Sequence, residues 1–250
     1  MLKAEEIKFG RRPSPLDRRD FNLKNFIPKE ELPKEEILER DWEFPNEVLD
    51  QENTGHCVGF SMADFKINLP TYTPQTNQDA HNLYFECKKV DGYDGEGTDL
   101  RSACKVLKNF NIIENYAFAY SLSAIKWWLL NRGPLIAGTV WTSNMLNLES
   151  RDDELYVSDI TGSILGGHAY LLNEWRSDGY IGIQNSWGEY WGKNGKAYIL
   201  ATDLEKLFSF NGEAVTAVEL ENKTSSCLLT NIFNKIKIFL YELSMLFMSD

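Results

Sequence analysis

The apolar positions change rhythm near residue 134. Upstream they recur at helical spacing. Gly55-His-Cys-Val-Gly-Phe-Ser-Met-Ala-Asp-Phe is apolar nearly all round, which predicts a buried helix. Leu100, Ala103, Cys104, Leu107 and Phe110 fall on one stripe of another. Ser123–Arg132 predicts a third, closed by Gly133-Pro134. Downstream the runs shorten to Leu135–Trp141, Ala169–Trp175, Tyr180–Trp187, Lys196–Leu200 and Ala214–Leu220, punctuated by Asp178-Gly179 and Asn194-Gly195. These predict antiparallel strands joined by turns. Helices first and strands second predict an α+β fold, with a helical lobe over 46–134 and a β lobe over 135–220.

Two flanking segments read differently. Residues 1–45 are charged and broken by Pro13, Pro15, Pro28, Pro33 and Pro45. They predict an extended arm that hugs a body, with a helical turn over Glu35–Arg40. In 221–250, Leu229, Ile232, Phe233, Ile236, Leu240, Leu243 and Phe247 share one helical face. Lys235, Lys237 and Glu242 make this a poor spanning helix. It predicts an amphipathic tail docked on its own protein or a twin copy, with a partner or membrane surface as the alternative.

A net charge of −11 over 250 residues repels nucleic acid and anionic lipid, so no nucleic-acid partner is expected. Cys57, Cys87, Cys104 and Cys227 form no CxxC or Cys/His metal pattern, so no metal or cofactor is expected. Met1-Leu-Lys-Ala-Glu-Glu lacks the apolar run of a secretory signal. A cytoplasmic setting with free thiols is the expectation.

Thiol acyl transfer needs a thiolate, a base, a group that orients the base, and donors for the oxyanion. Cys57 follows a Gly-containing turn at a predicted helix start, where amides and the macrodipole favour an anion. Gln51, six residues earlier, can donate its side-chain amide to an oxyanion beside the Cys57 N–H. His168 lies in Gly166-Gly167-His-Ala at the mouth of a predicted strand and is the candidate base. Asn185 can accept from its ring, with Trp187 shielding that bond. His56, adjacent to Cys57, is expected to line the cleft, and His81 to be structural or on the surface. Cys87, Cys104 and Cys227 are expected to be inert.

This set resembles the papain-like cysteine peptidases. The resemblance rests on Gln51…Cys57, Gly167-His168-Ala169, and Asn185-Ser186-Trp187-Gly188 followed by Trp191-Gly192 and Gly195. Weaker similarity runs from Arg18 to Val218. It implies two lobes with a cleft between them, and peptide hydrolysis by Gln51, Cys57, His168 and Asn185 on a peptide or protein substrate. It further implies substrate contacts at Gly97, Thr98, Gly167 and Trp187. By the same resemblance, a side-chain pocket would lie near Gly97-Thr98, Leu135-Ile136 and Gly166. The family's usual Cys-Gly-Ser-Cys-Trp is Thr54-Gly55-His56-Cys57-Val58 here. Thr54 replaces a disulfide cysteine, as in microbial or viral members. No long pro-segment is evident, so any inhibition by the 1–45 arm must use a short mechanism. Acyl transfer, isopeptide cleavage, or a non-catalytic interaction module are the alternatives.

Overall fold

The computed structural model describes residues 7–28 and 38–219. The expected α+β architecture is present. The helices are α1 (Cys57–Ile67), α2 (Asn77–Val90), α3 (Leu100–Asn109), α4 (Leu122–Asn131) and α5 (Ala201–Phe208). The strands are β1 (Phe21–Asn22), β2 (Arg40–Asp41), β3 (Asn115–Ala119), β4 (Leu135–Thr142), β5 (Leu148–Arg151), β6 (Glu154–Val157), β7 (Ile164–Trp175), β8 (Tyr180–Gln184), β9 (Lys196–Leu200) and β10 (Glu213–Val218). They form one sheet in the order β1-β3-β10-β4-β7-β8-β9-β6-β5, with β2 on β7. Pairing is antiparallel except at β1–β3 and β6–β9.

Side-chain alternation splits the central strands between two cores. Ile136, Ala169, Leu171 and Val215 face α1, α2 and α3, packing with Val58, Phe60, Met62, Leu100 and Leu107. Leu135, Ala137, Tyr170 and Leu172 face the other way, toward Trp141, Trp187, Trp191 and the buried stripe of α4. The helix starts are capped as their sequences dictate. Thr76 and Asp79 form a capping box on α2, while Asp99 and Ser121 cap α3 and α4.

Several expectations change. Strand β3 interrupts the stretch read as helical, because Asn115–Ala119 pairs with β10. Helix α4, expected in the helical lobe, buries Ala124, Ile125, Trp128 and Leu129 in the core beyond the sheet. The turn-rich β5–β6 hairpin and helix α5 were not expected, although Ala201, Leu204 and Leu207 fall at helical spacing on the buried side of α5. Arg40 pairs as a strand with Trp175, while residues 35–37 of the expected helical turn lie outside the described residues. The tail over 221–250 lies outside the described residues. Among those described, no helix is long and apolar enough to cross a membrane.

One cross-strand row positions the site. Glu213 of β10 pairs with Gly138 of β4, which pairs with Ala169 of β7. Ala169 follows His168 and faces the helical lobe at Cys57.

Candidate active site

Gln51, Cys57, His168 and Asn185 are brought together and all are fully buried. Cys57 opens α1. The amides of Ala169, Gly10 and Val58 face its sulfur. Burial pushes the thiol up, and these three N–H groups pull it back.

His168 sits within β7, and Asn185 directly follows β8. Asn185 is pinned by its own N–H donating to Gly195 O at 2.8 Å. Its Oδ1 lies 2.8 Å from His168 Nε2 and also accepts the Ser186 N–H at 2.8 Å. The Ser186 amide can only donate, so the oxygen is identified. Nε2 therefore carries the hydrogen, and Nδ1 is left without a hydrogen-bond partner among the described residues. Trp187 stacks on the imidazole at 4.5 Å, and Trp141 meets it edge-on at 5.2 Å. Burial drives the His168 pKa down to about 4, against the Asn185 bond, which raises it.

Gln51 is held by a residue the sequence argument passed over. Ser186 Oγ donates to Gln51 Oε1 at 2.8 Å, and Ser186 O accepts the Gln51 N–H at 2.8 Å. That fixes the amide with Nε2 turned away from Ser186, donating to Thr54 O at 2.6 Å and Lys8 O at 3.0 Å. The signal was present, since Ser186 lies inside the Asn-Ser-Trp-Gly block.

The path of the expected arm is the second feature that residue spacing does not reveal. Residues Lys8–Arg12 run through the site in extended form. Gly10 O accepts the Thr98 N–H at 2.8 Å, and Thr98 O accepts the Arg12 N–H at 2.8 Å. On the other side Gly167 O accepts the Arg11 N–H at 2.9 Å. Phe9 sits edge-on to His168 at 5.9 Å and to Trp187 at 6.1 Å. The four expected substrate-contact residues Gly97, Thr98, Gly167 and Trp187 thus all meet the chain's own arm. The approach is tight enough to demand glycine. A Cβ on Gly10 would lie 1.7 Å from Gly55 O, and one on Gly97 would lie 2.3 Å from Gly10 O.

The other candidates separate cleanly. The His56 and His81 Nδ1 atoms lie 2.7 Å apart, and His56 stacks on Tyr84. Burial, then the neighbouring His81, lowers the His56 pKa to about 4. Cys87 Sγ meets Met62 Sδ at 3.4 Å, and burial raises the Cys87 and Cys104 thiols. Cys57, Cys87 and Cys104 are free. Cys227 lies outside the described residues. No cluster of His, Cys, Asp or Glu among the described residues could hold a metal ion.

No family model matches the sequence, and no curated protein does. Solved structures do match. Xylellain, a cysteine protease from Xylella fastidiosa, is 16% identical with a TM-score of 0.60, over 84% of this chain and 96% of that one. Digestive procathepsin L 3 of Tenebrio molitor larval midgut is 17% identical with a TM-score of 0.56, over 80% and 75%. A procathepsin B from Trypanosoma congolense is 16% identical with a TM-score of 0.51, over 69% and 71%. The chain has the papain-like fold of these proteins.

Proposed function

We propose that the protein is a cysteine peptidase that hydrolyses peptide bonds through a thioester. The observation that carries this reading is a peptide carbonyl, that of Lys8, already bound by Gln51 Nε2 beside Cys57. The site is thus shaped to hold extended peptide against a buried thiol, an imidazole and an amide donor.

In the reaction, His168 Nδ1 takes the Cys57 proton and the thiolate attacks the scissile carbonyl carbon. The oxyanion is held by Gln51 Nε2 and the Cys57 N–H. Collapse breaks the C–N bond, His168 returns its proton to the leaving amine, and a thioester remains. His168 then deprotonates water, which attacks the thioester and releases the acid and Cys57. Asn185 keeps the imidazole in the tautomer with Nδ1 free. The substrate must first displace Lys8–Arg12, so the arm-seated chain is the latent form.

Peptidase activity measured on Cys57→Ala and His168→Ala tests the assignment. Loss to background in both is the expected result. Full activity in either rules it out.

A further inference from the structure

We propose that the apolar groove between the first turns of α4 and α5 is the docking site of the chain's own C-terminal segment, residues 229–247. This goes beyond the peptidase reading and does not depend on it.

The groove holds about 500 Å³ and is open to solvent. Its apolar lining is Leu122, Trp175, Leu200 and Ala201. Helix α4 turns Ala124, Ile125, Trp128 and Leu129 into the core. Leu122 and Leu200 are left only half-buried, so the groove keeps apolar surface in water. Its two walls carry opposite charges. Lys126 on α4 lies 5.3 Å from the Trp175 ring, and Glu205 stands on α5.

Strand register brings the chain's exit to the same end of the sheet. Val215 of β10 pairs with Ile136 of β4, and Thr216 Oγ1 donates to Pro134 O at 2.9 Å. Strand β10 therefore leaves the sheet past the Leu135 end of β4. Leu172 of β7 pairs with Leu135, so Trp175 lies beyond that end too. Trp175 pairs with Ile181, and the neighbouring Tyr180 pairs with Leu200. The last strand thus points its continuation toward the end where the groove opens.

The length and pattern of that continuation suit the groove. Residues 219–228 separate Val218 from Leu229 and reach about 33 Å when extended. Ile232, Phe233, Ile236, Leu240 and Leu243 then recur three and four residues apart, the spacing with which one helix fills a groove. At about 100° per residue, Lys237 falls on one flank of this stripe and Glu242 on the other. That charge order complements walls bearing Glu205 and Lys126. A tether this short holds its segment at an effective concentration on the order of millimolar, which favours it over a second copy. The net charge of −11 disfavours an anionic membrane. Trp175 lies seven residues along β7 from His168, about 23 Å, so the docked segment leaves the cleft free.

The test uses the full-length chain with p-benzoylphenylalanine placed at Thr202, an exposed position on the α5 wall. After irradiation, cross-links are mapped by mass spectrometry in an equal mixture of unlabelled and 15N-labelled protein. Most products are expected to join position 202 to residues 229–247 of the same chain. The same probe at Ser123, on the α4 wall, should find the same segment. Ile236→Asp with Leu240→Asp should lower the yield by at least about tenfold, since a charge replaces two buried anchors. Cross-links that avoid the segment, or a yield unchanged in the double variant, overturn the proposal. Products joining light to heavy chains assign the groove to a second copy and overturn it as well. So does loss of the cross-link on adding phosphatidylcholine–phosphatidylserine vesicles, which assigns the segment to a membrane surface.

Discussion

Gln51 donates to the carbonyl of Lys8, whereas the arm amide that faces Cys57 belongs to Gly10, two residues further on. Attack requires one carbonyl whose oxygen lies on the donor while its carbon faces the sulfur. The arm offers the donor one residue and the sulfur another. The amide donor and the thiol are thus both occupied by the arm, through residues two apart.

Releasing the arm should release activity. The Cβ of Gly10→Val would meet Gly55 O far inside contact distance, and both partners are backbone. The variant is expected to raise peptidase turnover by about tenfold or more, since tenfold needs only about 1.4 kcal/mol against the seated state. Fluorogenic peptide assays on wild type and variant measure this. Equal rates would show that the arm does not gate the site.

Ser186 acts through Gln51. Ser186→Ala removes one neutral hydrogen bond, worth about 1 kcal/mol, and frees the Gln51 amide to turn. A fall in kcat of about five- to tenfold with little change in KM is expected. Gln51→Ala should cost more, about 2–4 kcal/mol of transition-state stabilisation. A KM effect alone would make Ser186 structural and nothing more.

His168 should report the state of the cleft by its titration. Burial lowers its pKa to about 4, against the raising bond from Asn185, with Phe9 of the arm among its ring neighbours. Between pH 6.5 and about 4, the unfolded chain binds this proton and the closed fold does not. Stability from this group is therefore lost as pH falls through that window, by at most about 1.4 kcal/mol per pH unit. NMR titration should find His168 well below 6.5 in wild type and shifted upward in Gly10→Val. An unchanged value in the variant would mean that the arm is not what buries the ring.

Lys196 joins the end of the arm to the sheet. Its ammonium meets Asp41 at 2.9 Å and both Glu43 and Glu174 at 2.8 Å. Glu174 is largely buried, so Lys196→Met strands a carboxylate. A loss of about 3 kcal/mol in unfolding free energy is expected by urea denaturation. A loss under about 1 kcal/mol would show that solvent screens the cluster.

The sequence revealed the elements and the site unequally, for physical reasons. Helix α1 was legible because an apolar run followed a glycine turn. Strands β4 and β7 were legible because their apolar runs ended at Gly and Pro signals. Strand β3 was not, because its pairing with β10 is set by tertiary contact and Asn115–Ala119 carries little signal of its own. Gln51, Cys57, His168 and Asn185 could be named from residue type and spacing, and the fold does gather them. The path of Lys8–Arg12 could not be read. Charge and prolines predict an extended arm, but not that its Gly10 docks on Gly55. Nor could Glu213 be paired with Arg11 across 202 positions before the register of β10 on β4 was known.

The most direct test of the account is the site of alkylation by an epoxysuccinyl peptide on the full-length Gly10→Val chain, mapped by mass spectrometry. Modification is expected at Cys57 over Cys87, Cys104 and Cys227, abolished by His168→Ala. Labelling spread evenly over the cysteines, or labelling of Cys57 that persists without His168, would contradict it.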